Sequence, residues 1–317
     1  MDLFADAKEL LRIRLDQLGV ELDGTEDLES LLHLALNLEF KSVFPRPRSV
    51  HRSYEFDSKL AALLPHLQAT AEEIMGKTTR GEDLAGHLSR ASTNATNADP
   101  LLIDWALQHL HISTHKKNPG DLFFASTGPL MFVFFTDHSA YFIDIYGHGS
   151  GFPETWSRIE LLEIIYANWP EILEPYRSRC SVGSSDPITD PAILADLRKH
   201  GINHPVTIDG KLFFPPGGGV TCGGVTATRR GAVNDPTCVG NSLAIGEAAD
   251  FTMMRLNDVE HTFASFSDEQ NEKIAEKAGV FIEAVDFELR ASAVGDWFIY
   301  VKGTELALFQ MTTPFEV

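Results

Sequence analysis

Long apolar runs are missing from these 317 residues: none approaches the roughly 18 residues that a membrane-spanning helix needs. Cysteine is scarce. Cys180, Cys222 and Cys238 are odd in number and widely spaced, which argues against a disulfide framework or a zinc knuckle and fits a reducing compartment. Basic residues are outnumbered, 26 Lys and Arg against 45 Asp and Glu, for a net charge of -19. Such a surface repels phosphate backbones and anionic membranes at long range, so any nucleic acid has to be held locally. Phosphate-loop signatures are absent too. The glycine-rich segment Gly217–Gly224 is followed by no Lys-Ser/Thr and lacks G-x-G-x-x-G spacing. The acidic start, Met1-Asp2-Leu3-Phe4-Ala5-Asp6, is unlike a secretory or transit peptide, so the expectation is a cytoplasmic protein with no membrane association.

What the chain does contain reads as an α+β protein. Its fold is expected to comprise a helical N-terminal region over 1–92, a central antiparallel-sheet domain flanked by helices over 98–180, and a C-terminal α+β domain over 187–317 that carries the glycine-rich loop. Apolar periodicity predicts helices over Asp2–Leu18 and Thr25–Leu38, the second with Thr25 as N-cap. A further helix over Ser58–Met75 is expected to break at Pro65 and stop at Gly76. Asp99-Pro100 opens a helix to about Gln108 as N-cap and N1 proline. Short strands are expected at Leu122–Phe124, Leu130–Phe135 and Ala140–Tyr146, then a helix over Ser157–Asn168. Asp209-Gly210 marks a tight hairpin between Val206–Ile208 and Leu212–Phe214. Helices over 241–262 and 267–278 and three alternating strands complete the pattern.

The chemistry concentrates between Leu101 and Glu171. His109-Leu110-His111-Ile112-Ser113, if extended, sets both histidines on one face. Alternation along Tyr141-Phe142-Ile143-Asp144-Ile145-Tyr146 sets Phe142, Asp144 and Tyr146 on one face and Tyr141, Ile143 and Ile145 on the other. Both faces are largely apolar, so Asp144 is expected to be at least partly buried and to need a partner. His148, His109 and His111 are the candidates, one of them within hydrogen-bond reach. Three readings stand side by side. The residues are structural; or His109, His111, Asp144, Tyr146 and His148 perform metal-free acid–base catalysis; or His109, His111, Asp144 and His148 hold zinc or manganese. Lys116 and Lys117 in the loop after His115, and Arg229 and Arg230 after the glycine-rich loop, are candidate anion-binding residues. Cys222 is a weaker candidate nucleophile. Trp105 and Trp169 are expected in the core.

The blocks Asp104-Trp105…His109-Leu110-His111, Gly128-Pro129-Leu130…Tyr141-Phe142-Ile143-Asp144-Ile145 and Asn168-Trp169-Pro170-Glu171 resemble an uncharacterised bacterial accessory-genome family. The likeness spans roughly residues 50–230 and implies organisation, not chemistry. More remotely, a helix, a His-x-His, a hairpin and a closing helix resemble the small ribonuclease toxins of the RelE and barnase type. That resemblance implies metal-independent RNA cleavage in a toxin or phage-defence setting, with His109, His111, Tyr146 and His148 in acid–base roles and Lys116 or Lys117 on the phosphate. Such toxins are usually basic, and this chain is not. The alternatives are a protein-interaction module that binds a protein partner through its acidic surface, and a metal-binding hydrolase.

Overall fold

The structure is a computed structural model, and it describes residues 2–97, 99–126, 128–149, 155, 158–178, 190–199, 204–215, 221–222, 225–226, 243–291 and 296–311. The fold is α+β. Helix α1 (Leu3–Gln17) begins where Asp2 accepts the amide of Ala5, and it buries Leu3, Ala7, Leu11 and Leu15 along one stripe. Helix α2 (Leu28–Phe40) starts two residues later than the Thr25 cap implied. The Thr25 hydroxyl is held by Asp23 at 2.6 Å, and Asp27 accepts the Ser30 amide at 2.8 Å instead. Strand β1 (Ser49–Arg52) is followed by α3 (Tyr54–Ala62), capped by Ser53, and α4 (Pro65–Arg80), with its proline at N1. The helix break before Pro65 was legible; the end at Gly76 was not. Gly76 stays helical, and α4 ends at Gly81 in the left-handed region (φ 73°).

Helix α5 (Pro100–Trp105) is capped by Asp99 as expected, but it stops short because Ala106 turns left-handed (φ 55°). The turn frees β2 (Leu107–His111) to pair with β3 (Leu130–Phe135), which pairs in turn with β4 (Ser139–Tyr146). Leu122–Phe124 is not a strand; its Phe124 amide is tied to the Gly86 carbonyl at 2.8 Å. There follow α6 (Glu160–Asn168), α7 (Pro170–Leu173) and α8 (Pro191–Lys199). The hairpin β5 (Val206–Ile208) and β6 (Lys211–Phe213) turns on Asp209 and Gly210, both at positive φ. Strands β7 (Thr221–Cys222) and β8 (Val225–Thr226) precede α9 (Leu243–Ala264), α10 (Asp268–Ala278), β9 (Phe287–Ala291), β10 (Trp297–Val301) and β11 (Ala307–Met311). Ser267 and Gln270 form a capping box at the start of α10. Among the described residues no helix is long and apolar enough to cross a membrane.

The chain divides into two compact units, Met1–Glu39 with Ile245–Val317, and Phe40–Ala244. The segments expected from linkers were contiguous, whereas the first unit joins the two ends of the chain. Its reason is local: Asp6 of α1 accepts the Leu289 amide of β9 at 3.0 Å, and Glu260 of α9 accepts the Leu3 amide at 3.1 Å. The three-stranded sheet β11-β10-β9 belongs to this unit.

The second unit is built on the four-stranded sheet β1-β4-β3-β2. Strand β1 pairs parallel to β4, which the sequence did not announce because none of its four residues is buried and they carry no alternating pattern. One sheet face packs Leu110, Met131, Val133, Phe142 and Ile145 against Phe56, Leu60 and Ile74 of α3 and α4. The other packs Leu107, Leu130, Phe132 and Ile143 against Trp105 of α5 and Leu161, Leu162 and Ile165 of α6, with Trp169 at its margin. Phe142 and Ile145 thus share a face, contrary to strict alternation. A bulge is responsible: Val133 pairs with Phe142 but Phe132 pairs with Asp144, so β4 spends one extra residue there and its faces exchange.

Among the glycines of the described residues, Gly81 is the least open to substitution. A Cβ there would lie 2.5 Å from the Pro47 nitrogen, whereas one at Gly279 (φ 69°) would meet open space. Gly279→Ala is expected to cost about 1–2 kcal/mol from conformation alone. Gly81→Ala should cost more, read as the larger drop in urea midpoint of the two variants.

Candidate functional site

The bulge decides where Asp144 ends up. It is 1% exposed, as its burial between two apolar faces required. Its partners are not histidines. One carboxylate oxygen accepts from the Lys59 ammonium of α3 at 2.7 Å and the other from the Ile145 amide at 2.8 Å. Lys59 and Arg158 lie 3.7 and 4.6 Å from the Tyr146 ring centre. Burial, and then the neighbouring Asp144 carboxylate, push the Tyr146 hydroxyl above its ordinary pKa of 10.0, so it serves as a donor and not as a base.

The histidines gather separately. His109 pairs with Phe132 in the register, and Phe132 pairs with Asp144, so a whole strand and a phenyl ring stand between His109 and Asp144. That separation is about 10 Å, two strand spacings. The expectation that Asp144 would bond a histidine is therefore corrected, and Asp144 leaves both the acid–base group and the metal quartet proposed with it. Among the described residues no group of three or more His, Cys, Asp or Glu side chains is arranged to hold a metal ion.

His109, His111 and His148 do meet. Their rings are 6.1 Å apart for the first pair and 5.1 Å for the second. Strand β2 is extended as expected, so His109 and His111 share a face, and His148 reaches His111 from just beyond β4. His109 and His111 are 7% and 5% exposed. The Nδ1 atoms of His111 and His148 are buried, with no hydrogen-bond partner among the described residues. Burial lowers the His109 pKa against the pull of Asp99, whose Oδ2 lies 3.4 Å from His109 Nδ1; the nearby His148 lowers it further. Burial and the neighbouring imidazoles His109, His148 and His87 bring His111 to about 4. His87 is also at about 4, through burial first, and its Nδ1 lies 3.2 Å from the His111 carbonyl. Both rings are neutral at pH 7.

His109 opens onto a cavity of about 330 Å³, alongside Lys41, Asp99, Gln108 and the apolar Leu88, Leu101 and Leu102. That volume falls in the range of about 300–1,000 Å³ typical of small-molecule sites. The cavity sits against β2, which among the described residues has no further strand on its outer side. Lys41, at the end of α2, is 4% exposed and gives hydrogen bonds to the carbonyls of Asn94 (2.5 Å) and Asn97 (2.8 Å). Burial lowers its ammonium to about 8, with Asp99 opposing the shift. Sequence reading missed Lys41, Lys59 and His87 entirely and took Asp99 only as a helix cap. A lysine right after an apolar helix was the sole signal for Lys41.

The remaining candidates fall elsewhere. Lys116 and Lys117 are exposed in the loop after β2 and do not line the cavity; Lys116 lies 5.9 Å from the Phe124 ring centre. Arg229, Arg230, most of Gly217–Gly224 and the Cys222 side chain lie outside the described residues.

Two consequences can be measured. Removing Lys59 strands a buried carboxylate, while removing the Asp144 charge leaves an ammonium that is 41% exposed and can rehydrate. Lys59→Met is therefore expected to destabilise more than Asp144→Asn. A loss of about 2 kcal/mol in urea unfolding is expected, below the ~3–5 kcal/mol of fully buried pairs because Lys59 is partly hydrated. The second concerns pH. His87 and His111 titrate near 4 when folded, against 6.5 ordinarily, so the unfolded chain binds more protons between those values. Their contribution is complete above pH 6.5 and is lost as pH falls toward 4. The His87→Gln/His111→Gln double variant should show a shallower fall in urea midpoint over that window.

No family model, curated protein or solved structure matches the chain. The case for a function rests on the geometry of the site itself.

Proposed function

We propose that the protein is a metal-independent acid–base enzyme centred on His109, His111 and His148, and that the bond it breaks is an RNA phosphodiester. The observation that carries this reading is the His109–Asp99 pair on the wall of a small-molecule-sized cavity, with two further imidazoles beside it. With Nδ1 turned to the Asp99 carboxylate, the Nε2 of a neutral His109 is the proton acceptor. It takes the proton of a ribose 2′-hydroxyl, the oxygen attacks the adjacent phosphorus, and the 5′-oxygen leaves. Half-exposed His148 gives that oxygen its proton, leaving a 2′,3′-cyclic phosphate. The lowered pKa keeps His109 neutral through physiological pH. Such an activity fits a toxin or phage-defence effector.

The net charge of -19 favours a second reading, a protein-interaction module whose cavity takes a ligand without chemistry. A quenched fluorescent oligoribonucleotide in the presence of a chelator separates the two. Cleavage to cyclic-phosphate ends is expected, with His109→Ala slower by about 100-fold or more and its circular dichroism unchanged. Intact RNA with folded wild-type protein overturns the enzymatic reading, and cleavage that the chelator abolishes overturns its metal independence.

A further inference from the structure

We propose that Lys41 is a carbonyl-reactive amine and that the cavity it lines takes a small aldehyde or ketone, held as an imine on Nζ. The proposal does not depend on RNA cleavage. Lys41 is almost wholly removed from bulk water yet lines the cavity of about 330 Å³. Its Nζ already gives two hydrogen bonds, to the carbonyls of Asn94 and Asn97. A neutral amine has two N–H groups and one lone pair. Both N–H groups are therefore used without loss, and the lone pair occupies the remaining tetrahedral direction. Holding the 94–97 loop and keeping a nucleophilic nitrogen are thus compatible. Burial acts in the same sense, bringing the group to about 8.

The other lining residues suit such a ligand. Leu88, Leu101 and Leu102 cover its organic part, and Ser89 and Gln108 offer polar contacts. The titratable groups that share the cavity with Lys41 are Asp99, ahead of α5, and His109 of β2. In the reaction, the Nζ lone pair forms the C–N bond while the carbonyl π pair moves to oxygen. A proton passes from nitrogen to that oxygen, through Asp99 or His109, to give the carbinolamine. A second proton, passed to the hydroxyl by the same group, lets water leave as C=N forms; the resulting iminium returns its remaining N–H proton to that group to give the imine, and hydration reverses the sequence.

Trapping tests this directly. The intact full-length protein is incubated with benzaldehyde and sodium cyanoborohydride, whose hydride reduces the imine to a stable secondary amine, and the modified peptides are mapped by mass spectrometry. Lys41 is expected to label faster than the exposed Lys116–Lys117 peptide by about ten-fold or more, and its rate should rise with pH through about 8. Lys41→Arg keeps donors for the two carbonyls and a folded protein but loses the fast adduct. Labelling of Lys41 at or below the surface rate, or only after denaturation, overturns the proposal. Because the readout is the adduct and not RNA, failure of the RNA reading leaves the result interpretable.

Discussion

Strand β3 is the constraint on which the second unit depends. Leu130, Met131, Phe132 and Val133 are all buried, since β2 and β4 flank the strand and both its faces are covered by helices. A strand in that position cannot carry a charge, so ionisable groups collect on its two neighbours. Phe132 then keeps the two collections apart. On the β4 side, Asp144 and Tyr146 are satisfied by α3 and Arg158. On the β2 side, His109, His111 and His148 face one another, with Asp99 beside His109 and the Nδ1 atoms of His111 and His148 without a hydrogen-bond partner among the described residues. One collection is closed electrostatically, and the other has unpartnered nitrogens, a backing carboxylate and an adjoining cavity. That asymmetry is what makes the histidine side the better candidate for chemistry.

The bulge in β4 is the second determinant. Without it, strict alternation would leave Ile143 and Ile145 on the same face. With it, Phe142 and Ile145 reach the α3–α4 core and Ile143 reaches α6, while Ser53 caps α3 and its hydroxyl bonds the Ile143 carbonyl at 2.5 Å. The same serine thus starts the helix that delivers Lys59 and fixes the irregular backbone that Lys59 serves. Sheet irregularity and the buried ion pair are one arrangement.

Burial acts in opposite chemical directions across the molecule. It keeps His87, His109 and His111 neutral and brings Lys41 toward its amine form. In the other unit it raises Glu39 to about 7, against the pull of the Arg14 guanidinium bonded to it. Each case takes a charge out of water where hydrogen bonds and neighbours compensate only in part. The acidity of the whole chain therefore says little about its cavity, where the His109 imidazole and a lysine of lowered pKa stand beside one carboxylate.

Most elements were legible from local pattern. The Asp99-Pro100 cap, the break before Pro65, the Asp209-Gly210 hairpin and the extended His109–His111 segment all follow from interactions spanning a few residues, and local sequence determines those. It also determined that Asp144 would be buried, because its neighbours on both sides are apolar. Which group would meet it was decided only by the tertiary structure. A bulge changes the face of every later residue without altering composition, and the partner, Lys59, lies 85 positions away in a helix whose sequence marks it as an ordinary surface lysine. The same holds for Lys41, whose burial depends on Asn94, Asn97 and the outer edge of β2. Periodicity reports what each segment must hide; only packing reports what it is hidden against.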